Sequence, residues 1–100
     1  MISLLARLVR GKTHDLSHLT FTMYSRQDCG CCHNALDLLK DYQARYGFTI
    51  DVIDVDADPV LAERYGLEVP VVTLNDKVRF KGKMNPALLD RLLLAESRGA

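Results

Sequence analysis

Three cysteines fall within four residues, at positions 29, 31 and 32, in the run Phe21-Thr-Met-Tyr-Ser-Arg-Gln-Asp-Cys29-Gly-Cys-Cys32-His-Asn-Ala. A C-x-x-C pair at the start of an amphipathic helical pattern is what dithiol–disulfide exchange needs. One sulfur sits at the positive helix end and the second lies one turn further in. The nucleophile is the thiolate, and a free thiol ionises near about pH 8.5. Unpaired backbone N–H groups of a first helical turn lower that value and stabilise the sulfur both as attacker and as leaving group. The expected helix start makes Cys29 the exposed thiol, suited to attack a target disulfide. It sets Cys32 deeper in the same turn, suited to attack the mixed disulfide and release the reduced target. Arg26 favours the thiolate or holds an incoming carboxylate, whereas Asp28, adjacent to Cys29, disfavours the anion, so no extreme thiol pKa is expected. Cys31 is expected to point away from the pair, because adjacent helical residues do not share a face. It reads as a solvent-side thiol or an alternative resolving residue.

Other chemistries use the same atoms. Cys29-x-x-Cys32-His33 matches the attachment signature of a c-type haem, which would further require an axial ligand and an enclosing core. Cys29, Cys32 and His33, with Cys31 in reserve, supply zinc-binding atoms. A closed zinc site draws on two separated segments, however, and the other histidines are His14 and His18. No metal site is therefore assigned, and His33 reads as a residue of the helix surface. Cysteines clustered this closely staple nothing distant, which excludes a structural disulfide framework.

The elements that must carry the cysteines follow from periodicity. Leu19 to Tyr24 alternates apolar and hydroxyl-bearing residues and predicts a strand. Ala35, Leu36, Leu39, Tyr42 and Tyr46 recur every three or four residues and predict one helical face, closed by Gly47. Phe48 to Asp54 reads as a second strand with Phe48, Ile50 and Val52 on one face. Asp58-Pro59 reads as a cap and first residue of a second helix, ended by Gly66. Pro70 to Leu74 predicts a third strand, Asn75-Asp76 a hairpin turn, and Lys77 to Lys81 a fourth, edge strand broken by Gly82. A last helix begins at Asn85-Pro86, with Leu88, Leu89, Leu92 and Leu93 inward and Ser97 to Ala100 as a tail. The order β-α-β-α-β-β-α implies an α/β domain, a four-stranded mixed sheet with helices on both faces. Residues 19–100 are assigned to this domain and residues 1–18 to a short N-terminal extension, in which Ile2, Leu5, Leu8 and Val9 line one side of a short helix. On residue statistics alone, Pro70 is an ordinary trans proline opening a strand.

Composition narrows the function classes. One hundred residues suit a single domain with one modest core. Hydrophobic residues make up 48% and charged residues 26%, which is ordinary globular composition rather than that of a disordered chain. Lys plus Arg equals Asp plus Glu at 13 each, so the footprint of a general nucleic-acid binder is missing. No run approaches the ~18 apolar residues of a membrane span. Met1 to Arg10 is interrupted by Arg7 and makes a poor secretory leader. A reducing cytoplasm is the expected compartment, without membrane or nucleic-acid partners and as a monomer.

With these segments in order, the chain resembles the glutaredoxin-like proteins of the thioredoxin fold over residues 19–96. The resemblance rests on Phe21-Thr-Met-Tyr-Ser-Arg-x-x-Cys29-x-x-Cys32-x-x-Ala35, on Asp54-Val-Asp-Ala-Asp-Pro-x-Leu61-Ala-x-x-Tyr65-Gly66, on Val69-Pro70-Val-Val, and on Gly82. It implies a thioredoxin-like fold, Cys29 as nucleophile, Cys32 as resolving cysteine, and a cis Pro70 facing the dithiol, which reverses the statistical preference for trans. It also implies substrate-binding roles for Arg26, for the backbone of Val69 and for the Gly82 loop. Two departures stand out. Gly30-Cys31 replaces the usual Pro-Tyr between the cysteines, and Gly82-Lys83-Met84-Asn85 lacks the paired glycine and the acidic residue common in that loop. The expected activity is a thiol–disulfide oxidoreductase that binds no cofactor. Its substrates would be protein disulfides or glutathione mixed disulfides, with glutathione or a thioredoxin-type reductase as electron donor. The alternative is a metal-binding or partner-docking protein of the same fold with little turnover.

Overall fold

The computed structural model describes residues 16–99. The reading of an extension falls mainly on residues outside this range. Strands β1 (Thr20–Ser25), β2 (Thr49–Asp54), β3 (Val71–Leu74) and β4 (Lys77–Lys81) form one sheet in the order β2-β1-β3-β4. Helices α1 (Gly30–Tyr46), α2 (Pro59–Tyr65) and α3 (Pro86–Gly99) complete the element order, with a 3₁₀ turn at Val55–Ala57. The β1–β2 pair is parallel and the β1–β3 and β3–β4 pairs are antiparallel, so the sheet is mixed. A parallel pair needs a crossover and an antiparallel pair permits a tight turn. Accordingly, α1 separates β1 from β2, and Asn75-Asp76 alone separate β3 from β4. Both turn residues have positive φ, 47° and 72°, as a two-residue hairpin of matching twist requires. Asn75 also docks the turn on β1, accepting from the Thr20 N–H through its side chain at 3.0 Å and donating its own N–H to the Thr20 carbonyl at 3.0 Å.

Alternation along the two central strands divides the interior into two layers. Phe21, Met23, Val72 and Leu74 point to one face. There they pack with Cys32, Ala35, Leu39 and Tyr42 of α1 and with Leu89 and Leu93 of α3. Val71 points to the opposite face and packs with Val55, Tyr65 and the half-buried Tyr24 under α2. The helices therefore cover both faces. Each helix has the boundary chemistry its sequence implies. Asp58 accepts from the Val60 N–H at 2.9 Å ahead of Pro59. Gly47 ends α1 with φ 80°, its N–H returning to the Gln43 carbonyl. Asn85 accepts from the Ala87 N–H at 2.8 Å and starts α3.

Four details differ from the pattern reading. Leu16, within the segment assigned to the extension, is only 2% exposed and belongs to the main core, its N–H donating to the Tyr46 carbonyl. A lone leucine between polar residues carries no periodic signal, so tertiary packing alone reveals it. Val52, grouped with Phe48 and Ile50, is 50% exposed, because β2 is an edge strand beyond which no described element extends the sheet. Leu88, read as inward, is 49% exposed, since only the Leu89–Leu93 stripe of α3 faces the sheet directly. Finally, α3 runs through to Gly99 where a tail was expected from Ser97. Among the described residues no helix is long and apolar enough to cross a membrane.

Two outcomes follow. Leu16→Ala should cost about 2–5 kcal/mol in chemical denaturation, the usual range for a buried leucine. Leu67→Ser, at a fully exposed leucine, should stay within about 0.5 kcal/mol. Separately, a hydrogen bond to the Asp90 carboxylate, aided by burial, raises the Tyr42 phenol above its ordinary value of 10.0. In the fold, Tyr42 keeps its proton to higher pH than in the unfolded chain. The contribution is whole below pH 10.0 and is lost as the pH rises through the raised folded value. Stability of the Tyr42→Phe variant, measured across that window, should fall less steeply than that of the parent.

Candidate functional site

The site lies where β1 ends and β3 begins. Because these two central strands run antiparallel, with Tyr24 opposite Val71, the loop leaving β1 meets the loop entering β3. Residues Arg26 to Cys29 follow β1, and Val69-Pro70 precede β3. The α1 helix starts immediately after Cys29, which serves as its N-cap with extended backbone geometry. The Cys29 Sγ accepts the Cys32 N–H at 3.1 Å, so a sulfur occupies the place that an Asp or Ser oxygen takes in an ordinary cap.

Cys29 and Cys32 form a disulfide with a Cα–Cα separation of 5.2 Å. Their environments differ as their order in the helix implies. Cys29 is half-buried, while Cys32 is 2% exposed and packed in the core. Cys31 is an exposed free thiol. His33 is exposed, and its Nε2–H donates to the Gln27 carbonyl at 3.2 Å, clipping the loop that delivers Cys29 onto the first turn of α1. Among the described residues no group of three or more His, Cys, Asp or Glu side chains converges in a way that could hold a metal ion.

The Val69–Pro70 peptide bond is cis. The Val69 carbonyl oxygen lies 4.0 Å from the Cys29 Sγ, and Pro70 is fully buried. Gly82, which follows β4, joins this corner through its backbone. At φ 74° its N–H donates to the Pro70 carbonyl at 2.8 Å, tying the loop after β4 to the entry of β3. Lys81, next to it, pairs with Glu68 at 3.1 Å. The structure therefore brings Cys29, Cys32, Val69 and Pro70 together. It links Gly82 to them through the Pro70 carbonyl, and it leaves Cys31 exposed and unbonded to either cysteine.

Arg26 opens onto a cleft of about 630 Å³ that also exposes Cys29 and Val69. Its Nε donates to Asp56 Oδ1 at 3.2 Å. Gly66 lies against the guanidinium, and a Cβ there would come within 2.8 Å of Nη2 and 2.3 Å of the Ala62 carbonyl oxygen. Asp54 holds the neighbouring backbone, its Oδ1 accepting the Asp56 N–H at 2.9 Å. Residue-by-residue reading missed the parts played by Asp56 and Gly66. They meet Arg26 across thirty or more positions, and no local spacing signals such a contact. On the other side of the cysteine loop, Met23, Cys32, Leu36 and Val52 line a smaller and more apolar recess.

Fold and dithiol together define the class, a thioredoxin-like domain with a C-x-x-C pair at the start of its first helix. The chain matches the family described as "Glutaredoxin-like domain (DUF836)" over residues 20–94, and it belongs to that family. No curated protein matches it. Among solved structures, it is similar to a structural-genomics target protein from X. campestris. That pair has 32% identity and a TM-score of 0.62, covering 75% of this chain and 96% of the other. The reduced form of desulfothioredoxin from Desulfovibrio vulgaris Hildenborough shares 29% identity at a TM-score of 0.60, covering 77% of this chain and 80% of that one. A protein of Nitrosomonas europaea shares the fold at a TM-score of 0.65 and 22% identity, covering 74% and 89% of the two chains.

Gly66→Ala tests the packing of the cleft wall. The added methyl meets a backbone carbonyl as well as the guanidinium, so the variant should lose about 1–3 kcal/mol in denaturant unfolding. Combining it with Arg26→Ala should recover part of that loss and leave the part due to the Ala62 carbonyl.

Proposed function

We propose that the protein is a thiol–disulfide oxidoreductase working in the reducing direction through Cys29 and Cys32. The observation that carries this reading is the unequal pair at one helix start. One sulfur is accessible and caps the helix; the other is buried within bonding reach. In the reduced protein the Cys29 thiolate is stabilised by the Cys32 N–H and by the helix end. It attacks a substrate disulfide, forming a mixed disulfide and expelling a thiolate that takes up a proton. Cys32, held against Cys29 by the core, loses its proton and attacks the Cys29 sulfur. The second substrate thiol leaves, and two electrons have passed from the protein to the substrate. The Cys29–Cys32 disulfide is the form in which the protein would leave that cycle.

The substrates in this reading are protein disulfides or glutathione mixed disulfides, met in a reducing, cytoplasmic setting. The Val69 backbone flanks the sulfur where an extended substrate segment would lie. Glutathione or a thioredoxin-type reductase regenerates the dithiol. The similarity to desulfothioredoxin and membership of the glutaredoxin-like family support this chemistry.

Turnover of a disulfide substrate, coupled in parallel to glutathione with its reductase and to thioredoxin reductase with NADPH, tests the proposal. One system should sustain turnover, and Cys29→Ser should remove at least about 10³-fold of it, since the nucleophile is lost. Cys32→Ser should instead accumulate the mixed disulfide on Cys29, visible by intact mass. Failure of both systems with a reduced and alkylatable Cys29 would overturn the reading.

A further inference from the structure

The cleft beside Cys29 carries a charge pattern that bears on which disulfides the dithiol meets. Its charged lining, among the described residues, is one guanidinium, Arg26, against three carboxylates, Asp28, Asp54 and Asp56. Arg26 is partly committed within the cleft, its Nε donating to Asp56 at 3.2 Å and its guanidinium lying against Gly66, which leaves one cation beside three carboxylates. Asp54 is committed through one oxygen to the Asp56 N–H, which orients it without cancelling its charge. Asp28 is exposed and immediately precedes the nucleophile. Lys81 is paired with Glu68 and does not line the cleft. The charged side chains lining this side of the sulfur therefore sum to a net negative charge, and an excess of one sign of charge in a cleft raises the local concentration of oppositely charged substrate.

Building on the oxidoreductase reading, we infer that this site selects disulfides presenting positive charge beside the scissile bond, such as a cystine flanked by lysine or arginine. It disfavours anionic small disulfides, including glutathione disulfide. Asp28 and Asp54 are the specificity-determining residues, and Asp56 contributes by occupying Arg26. The reaction is unchanged. Cys29 and Cys32 give up two protons and two electrons, and the substrate S–S bond is replaced by two thiols. What the charges alter is encounter and placement of the disulfide.

The test is a single turnover, which needs no added reductant. Pre-reduced protein is mixed with excess cystamine, hydroxyethyl disulfide or dithiodipropionate, which are cationic, neutral and anionic. Remaining thiols are then trapped by alkylation after an acid quench. Each rate is divided by that of free mercaptoethanol with the same disulfide, which removes intrinsic leaving-group differences. The neutral disulfide removes changes in the thiolate fraction of each variant. The corrected preference for cystamine over dithiodipropionate should be about tenfold at low ionic strength, and should shrink to within about twofold near 1 M salt, where the Debye length is only about 3 Å. The double variant Asp28→Asn/Asp54→Asn should lower it to about threefold or less, asparagine preserving the oxygen that accepts the Asp56 N–H. Asp56→Ala should raise the corrected rate with glutathione disulfide about threefold by releasing Arg26. Equal corrected rates for cystamine and dithiodipropionate, or a preference that survives the double variant unchanged, would overturn the selectivity while leaving the oxidoreductase intact. No reaction with any of the three disulfides would instead overturn the oxidoreductase reading and this inference with it.

Discussion

Packing of the first turn of α1 against the central strands governs the geometry on which everything else at the site depends. Cys32, Ala35, Leu39 and Tyr42 form one buried stripe, and Cys32 is as deeply buried as the residues that follow it. A thiol is a small apolar group in such a setting, so Cys32 fills core volume while remaining one helical turn from Cys29. Its backbone N–H is then fixed in direction by the helix and meets the Cys29 Sγ at 3.1 Å. Displacing Cys29 from that position would require repositioning a turn that the core holds. The asymmetry between an accessible and a buried sulfur is thus a consequence of packing and needs no separate device.

The second half of the site is set by strand pairing. Val71 and Val72, both fully buried, anchor the start of β3 in the two layers of the interior, one on each face of the sheet. The antiparallel register with β1 leaves Val69 opposite the loop that carries Cys29. Gly82 strengthens the corner through the Pro70 carbonyl, which uses an acceptor that would otherwise lie unpaired beside a buried proline. Through this bond the loop after β4 is tied to the corner whose Val69 carbonyl lies 4.0 Å from the Cys29 Sγ.

Much of this was legible in the chain because the signals are local. The 3.6-residue stripe of α1, the capping pair Asp58-Pro59, the Asn75-Asp76 turn and the C-x-x-C spacing each express a rule operating over a few residues. What escaped was non-local. Leu16 becomes core because the chain folds back beside Tyr46. Leu88 and Val52 lose their expected burial because the sheet stops at β2 and α3 meets it along a narrow stripe. The geometry of Pro70 had no residue-level signal either, since the residue statistics favour trans and only the family resemblance pointed to cis. The partners of Arg26 lie in a different βα unit, and pairing across such a distance leaves no periodicity to read.

Arg26 shows how a residue can keep its place while its neighbours change what it offers. The side chains of Arg26 and Asp56 are 37% and 54% exposed, so their ion pair sits in the range where surface pairs contribute about 0–1 kcal/mol. Stability is a weak reason for such a pair. Its larger effect is geometric and electrostatic. Gly66 leaves room for the guanidinium at the end of α2, Asp56 holds its Nε, and Asp54 and Asp28 add negative charge to the cleft beside Cys29. The same carboxylate at position 28 opposes the helix end that favours the thiolate. In the proposed reaction a carboxylate there works against thiolate formation and draws cationic groups toward the sulfur, so its two effects fall on different steps. On the proposed reading, a mild cost to the nucleophile is set against attraction of a cationic target, which gives an acidic cleft beside the dithiol a physical sense.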